Sequence, residues 1–237
     1  MELIDITRRL SADCDELGFA APVEYVYNPL DYAWQPHERY LRRFEGLSPE
    51  VVLVGMNPGP NGMMQTGVPF GDVVFVRDWM GIEGEVGTPA VLHPKRGIDG
   101  FACKKREVSG SRVWGWAQER FGTAERFFQQ FFVLNYCPLL FFEAGGQNRT
   151  PDKLRKAERD ELFAVCDRAL TAMLEVLKPR AVIGIGRLAE QRAEQASQGM
   201  DVKVLPVTHP SPANPRANAG WMPLMDQAVR DAGVALP

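Results

Sequence analysis

Four short runs rich in β-branched and aromatic residues, Val51–Gly55, Phe131–Asn135, Ala181–Gly186 and Val202–Val207, are separated by stretches whose apolar residues recur at helical spacing. That alternation is the pattern of an α/β fold, a mainly parallel sheet with helices on its faces. The clearest helix lies between the second and third runs. Thr150 is its predicted N-cap and Pro151 its first residue; Leu154, Leu162, Val165, Ala169, Leu170, Met173 and Leu177 form its apolar stripe, and Pro179 stops it. Further helices are expected at about 2–17, at 187–197 with Gly199 just beyond, and at 221–232.

A chain of 237 residues that is 45% hydrophobic and 24% charged is neither disordered, collagen-like nor a disulfide miniature, and one domain over residues 1–237 is expected. The longest apolar run, Phe131–Phe142, is broken by Asn135 and Pro138 and falls short of the ~20 residues a membrane span needs, so no membrane association is predicted. The acidic N-terminal stretch lacks a secretory pattern. The expected location is therefore the cytoplasm, at the nucleoid in a bacterium, or the nucleus in a eukaryote. Cys14, Cys103, Cys137 and Cys166 are far apart in sequence with no C-x-x-C, which reads as free thiols and no metal. A monomer is expected.

The Gly- and Pro-rich stretches follow the strands. Asn57 comes just after the first, Asn135 closes the second and His209 follows the last. Ligands of open parallel sheets bind outside the carboxyl ends of the strands, so these three residues can converge on one crevice. No phosphate-binding P-loop, G-x-G-x-x-G fingerprint or G-x-S-x-G elbow is present; Gly184 and Gly186 read as a tight strand-to-helix turn. Within residues 55–71 five glycines and three prolines follow one another closely, which suits a rigid structural loop as well as a binding loop. Net charge is −3, which argues against bulk attraction to nucleic acid, yet residues 93–112 carry Lys95, Arg96, Lys104, Lys105, Arg106 and Arg112 against only Asp99 and Glu107. Taken alone, such a run is as often a solvated loop.

Together GMNPGP (55–60), FFVLNYCPLLFF (131–142) and THPSPANPRANAGW (208–221) resemble the single-strand-selective monofunctional uracil-DNA glycosylase family. VEYVYNPLDYAW (23–34), TGVPFGDVVFVRDWMGI (66–82), HPKR (93–96), EVSGSRVWGW (107–116) and GRLAEQRA (186–193) are similar to it as well, so the resemblance runs from about Val23 to Trp221. It implies a three-layer α/β/α sandwich around a four-stranded sheet. The implied activity removes uracil and 5-modified uracils, such as 5-hydroxymethyluracil, from single- and double-stranded DNA without cofactor or metal.

By the same resemblance, His209 stabilises the departing uracil anion through O2, Asn57 orients the water, and Asn135 reads N3–H and O4. Phe70 would stack on the extruded ring, and Gly59 and Met63 would line its C5 edge, with Met56 also in the base pocket. Pro210, Ser211, Pro212, Ala213, Asn214 and Arg216 belong to the loop that corresponds to the family's duplex-penetrating wedge, and Lys95 and Arg96 would contact the DNA backbone. Two positions depart from the pattern: Ala213 stands where arginine is frequent, and Asn61 where some relatives have Phe. No lysine occupies a catalytic motif, so no strand-cleaving lyase step is expected. The alternatives are a sibling specificity (mismatched uracil or thymine, xanthine or hypoxanthine) and a non-catalytic module that binds damaged DNA.

Overall fold

The computed structural model describes residues 2–237. Its helices in chain order are α1 (Leu3–Asp15), α2 (Pro29–Tyr32), α3 (Trp34–Arg42), α4 (Met63–Thr66), α5 (Val108–Phe121), α6 (Ala124–Gln130), α7 (Lys156–Leu177), α8 (Arg187–Ala196), α9 (Pro215–Asn218) and α10 (Met222–Asp231). The strands are β1 (Tyr25–Tyr27), β2 (Val51–Gly55), β3 (Phe131–Asn135), β4 (Leu140–Phe142), β5 (Asn148–Arg149), β6 (Ala181–Ile185) and β7 (Lys203–Val207).

Strands β3, β2, β6 and β7 form, in that order, a sheet in which every neighbouring pair is parallel. All residues of β2 and β6 are buried, so both faces of the sheet are covered and it is the middle of three layers. Both outer strands have their edges blocked by side chains. The Tyr40 hydroxyl donates to Val133 O (2.6 Å) and accepts from Val133 N–H (3.2 Å), which occupies the free side of β3. Strand β7 carries Pro206, which has no N–H to offer a further strand.

The four strands fall where the apolar runs place them, within one residue at β6 and β7. The long helix starts later than expected. Pro151–Lys153 make one 3₁₀ turn, Leu154 is extended, and α7 begins after Arg155. Arg149 donates from Nη1 to Lys153 O (2.7 Å) and so satisfies that turn locally instead of letting it join the helix. At the other end Lys178, before Pro179, adopts the left-handed conformation (φ 47°) and its N–H closes on Leu174 O (2.8 Å).

A second, antiparallel sheet of order β1-β4-β5 was not expected from the sequence. Tyr27 at its heart accepts from His93 N–H and donates to Arg96 O, both at 2.8 Å, so the His93–Arg96 segment is built onto it.

Candidate functional site

Strands β2 and β3 end in register, Gly55 opposite Asn135, and the pairing continues past them: Tyr136 N–H bonds Gly55 O and Cys137 N–H bonds Met56 O, both at 2.9 Å. The two loops are thus locked together where they leave the sheet. A cavity of about 350 Å³ opens there, lined by Met56, Asn57, Pro58, Gly59, Phe70, Glu107, Ser109, Asn135, Asn148, Thr150, His209 and Ser211. It gathers the three strand-end residues Asn57, Asn135 and His209 with Phe70. Met63 adjoins it through Asn135.

Each polar side chain has one atom fixed by the protein and another left over. Asn57 donates from Nδ2 to Leu139 O (3.1 Å), which leaves Oδ1 as an acceptor. Asn135 donates from Nδ2 to Met63 Sδ (3.3 Å), and its Oδ1 is buried without a hydrogen-bond partner. An orphaned buried acceptor costs about 1–3 kcal/mol, which a ligand N–H would recover. The ring of His209 accepts Ser211 N–H at Nδ1 (3.1 Å), so in the neutral ring the proton sits on Nε2. Burial lowers its pKa, which favours that neutral donor near pH 7.

Close packing fixes the apolar wall. A Cβ on Gly55 would stand 2.4 Å from Asn135 Oδ1 and 2.6 Å from Phe70 Cε2; only glycine admits this approach of amide and ring. Phe70 itself has φ 54°, a conformation bulky residues avoid. It is held by α5: a Cβ on Gly110 would lie 1.9 Å from Phe70 O, and Trp114 Nε1–H donates to Pro69 O (3.2 Å). Two residues on, the fully buried Asp72 carboxylate accepts from Arg106 Nε (2.7 Å), Glu107 N–H (2.9 Å), Ser111 Oγ (3.0 Å) and Val74 N–H (3.2 Å). The Phe70–His209 ring centroids are 6.5 Å apart.

The loop after His209 is preformed. Arg112 on α5 donates from Nη1 to Pro210 O (3.1 Å) and Ser211 O (3.4 Å), and from Nη2 to Asn218 Oδ1 (2.8 Å). Asn218 Nδ2 bonds Pro212 O (2.9 Å), and Trp221 Nε1–H bonds Thr208 O (2.7 Å). Pro212, Ala213 and Arg216 form its exposed tip. Pro210 is buried, and Asn214 is spent on Arg216 N–H (3.1 Å) and His209 O (3.3 Å); both shape the loop rather than extend its outer face.

The basic segment also changes meaning. Arg96 Nε donates to Gly146 O (2.8 Å) beside the Phe142 ring, Arg106 is taken by Asp72, and Arg112 by the loop. Of the two residues expected on the DNA backbone, Lys95 is exposed, whereas Arg96 is an internal brace. Sequence reasoning missed Glu107, Ser109, Asn148 and Thr150 in the lining, and Gly186, whose added Cβ would lie 3.3 Å from His209 Cβ. Only the tight strand-to-helix turn expected at Gly184 and Gly186 hinted at such an approach, and Gly186 there has φ 91°. The four cysteines are free and buried, and among the described residues no cluster of His, Cys, Asp or Glu could hold a metal ion.

Residues 43–231 match the model of the uracil DNA glycosylase superfamily. Single-strand selective monofunctional uracil-DNA glycosylases of Rattus norvegicus and Bos taurus are 46% and 45% identical over 228 residues, which span 95% of this chain and 82% and 84% of theirs. The crystal structure of SMUG2 from Pedobacter heparinus superimposes with a TM-score of 0.63 over 95% of this chain and 96% of its own, at 16% identity.

Proposed function

Since the chain belongs to the single-strand-selective monofunctional family of the uracil-DNA glycosylase superfamily, and is thus a uracil-DNA glycosylase acting on DNA, we propose that the strand-end cavity holds the extruded base and that its residues divide the reaction among them. The orphaned Asn135 Oδ1 carries this reading. It meets uracil N3–H while Nδ2 donates to O4; cytosine presents an acceptor and a donor at the same places and is refused. Phe70 stacks on the ring, a contact worth ~1–3 kcal/mol.

The C1′–N1 bond breaks with its electron pair passing to the base and positive charge left on the sugar. His209 Nε2–H donates to O2 as the anion forms, and because the ring is already neutral and oriented by Ser211, nothing need reorganise. Asn57 Oδ1 accepts from a water and aims its oxygen at C1′. An amide cannot take the proton as a carboxylate does, so base departure leads and water attack follows, with the proton lost to solvent. No side-chain amine bonds to the sugar, and the product is an intact abasic strand.

We also propose 5-hydroxymethyluracil and related bases as substrates, in single- and double-stranded DNA. Support comes from Gly59, which lines the cavity without a side chain of its own and carries the Glu107 carboxylate on its face, so that edge of the cavity is polar. Labelled oligonucleotides containing U, 5-hydroxymethyluracil, T, hypoxanthine or xanthine, each single- and double-stranded and treated with alkali after incubation, test this. Release of U and 5-hydroxymethyluracil but not of T is expected. Preference for xanthine or mispaired thymine would favour the sibling specificities.

A further inference from the structure

Glu107 is the one acidic residue lining the cavity, and nothing in the reaction above uses it. It is the N-cap residue of α5, yet its side chain makes no cap hydrogen bond with that helix. Instead it crosses to the Gly59–Gly62 turn, where Oε2 accepts Asn61 N–H at 3.2 Å. A Cβ on Gly59 would stand 2.5 Å from Oε2 and 3.3 Å from Oε1, so the whole carboxylate lies on the face of that glycine. Burial raises the Glu107 pKa, against which the Asn61 and Ser109 amides favour the carboxylate; a carboxylate has acceptor positions for several donors, and these amides leave others free.

The orientation of the base decides what meets this group, and here the inference rests on the reading of Asn135 given above. With Oδ1 on N3–H and Nδ2 on O4, the O4 side of the ring faces Met63 Sδ, the partner of Nδ2. Carbon 5 is the next ring atom beyond the one bearing O4, so a 5-substituent projects past Asn135 on the Met63 side. Helix α4, which carries Met63, springs from the turn under Glu107: Met64 N–H bonds Gly59 O (3.2 Å). We propose that Glu107 is a specificity-determining residue whose carboxylate accepts a hydrogen bond from a 5-substituent that carries a donor. It thereby favours hydroxymethyl over groups of similar size that only accept. A formyl oxygen in the same place would oppose the carboxylate acceptor to acceptor, and discrimination comes as much from that mismatch as from the new bond.

The test compares single-turnover excision of U, 5-hydroxymethyluracil and 5-formyluracil from otherwise identical single-stranded oligonucleotides by the wild type, Glu107→Gln and Glu107→Ala. Glutamine keeps the shape and an oxygen for Asn61 N–H, and turns an NH₂ donor towards the cavity. Its hydroxymethyl-to-formyl rate ratio should fall about tenfold or more relative to the wild type; comparing ratios cancels the differing acidity of the two leaving bases. Glu107→Ala should lower hydroxymethyl excision relative to uracil about tenfold and raise formyl excision relative to uracil, since the opposing acceptor is gone. If both variants slow all three substrates by one common factor, Glu107 is only a latch for the turn and the inference is overturned. A wild type that releases uracil but not 5-hydroxymethyluracil fails earlier, in the reading of the C5 edge itself, and takes the inference with it.

Discussion

In the base cavity the chain leaves polar atoms unspent: Asn135 Oδ1 has no partner, and Asn57 Oδ1 and His209 Nε2 are turned to face a ligand by bonds on their other atoms. In the neighbouring loop, Pro210–Gly220, the reverse holds. Its carbonyls are tied down by Arg112 and Asn218, and what it offers outward is small residues, Pro212, Ala213, Pro215, Ala219 and Gly220, with the Arg216 and Asn218 side chains. The first region keeps acceptors and donors in hand for a ligand; the second is satisfied already and presents little bulk. On the proposed function, base identity is read by the cavity, and opening a duplex is left to a part with few groups to do it.

Removing the unspent atoms should have the largest effect. His209→Ala and Asn57→Ala are each expected to slow single-turnover uracil release by roughly 10²–10³-fold, the scale of one lost electrostatic or positioning group, while melting temperatures barely move. Near-wild-type rates would break the comparison at its first term. Asn135→Asp should follow, with loss of roughly 10²-fold, because an ionised carboxylate sets an acceptor against O4; unchanged uracil excision would place base reading elsewhere.

A third test asks whether the cavity side is the rigid one. His37 is buried beneath the turn leading to Phe70, its Nδ1–H on Gly67 O (2.7 Å), and burial pushes its pKa down to about 4. Above pH 6.5 the ring is neutral folded or unfolded, and its full contribution is present. As pH falls from 6.5 towards 4 the unfolded chain takes the proton first, and roughly 3 kcal/mol of stability should drain away. Denaturant titrations at pH 7 and pH 4.5 check this: His37→Asn, which keeps a donor for Gly67, should lie below the wild type at pH 7, and the gap should close in acid.

The smallest effect belongs to the loop tip. Ala213→Arg should raise excision from duplex DNA a few-fold more than from single strands, and Arg216→Ala should lower duplex activity selectively, measured at fixed salt because counterion release would otherwise mask the difference. Equal changes on both substrates would mean that the tip adds only charge.

The central sheet was legible because its strands are short, mostly apolar and β-branched or aromatic runs, interrupted only by Lys203 in β7 and closed by Asn135 in β3, a signal carried by neighbours in sequence. The small sheet was not: β1 pairs with β4, Tyr25 opposite Phe142, across more than a hundred residues, and strands of two or three residues have no period to detect. Helix α5 hid for another reason. Val108, Gly110 and Gly115 lower its helix propensity, and burial of Val113, Trp114 and Trp116 outweighs them. That helix holds most of what the sequence could not disclose about the site, since Glu107, Gly110, Trp114 and Arg112 act through partners far away in the chain. Charge was only partly legible in the same way: Arg96, Arg106 and Arg112 each take a partner within the fold, although Arg106 stays half exposed, whereas Lys95, Lys104 and Lys105 are exposed.

A bare parallel edge is a template on which one molecule's sheet can recruit the next. Here one oxygen, that of Tyr40, keeps the Val133 amide and carbonyl from outside strands, and on the far edge Pro206 has no amide hydrogen to lend. Tyr40 and Val133 are both fully buried, so the β3 edge is closed inside the molecule, and a phenylalanine at position 40 would leave the Val133 amide and carbonyl buried without a partner.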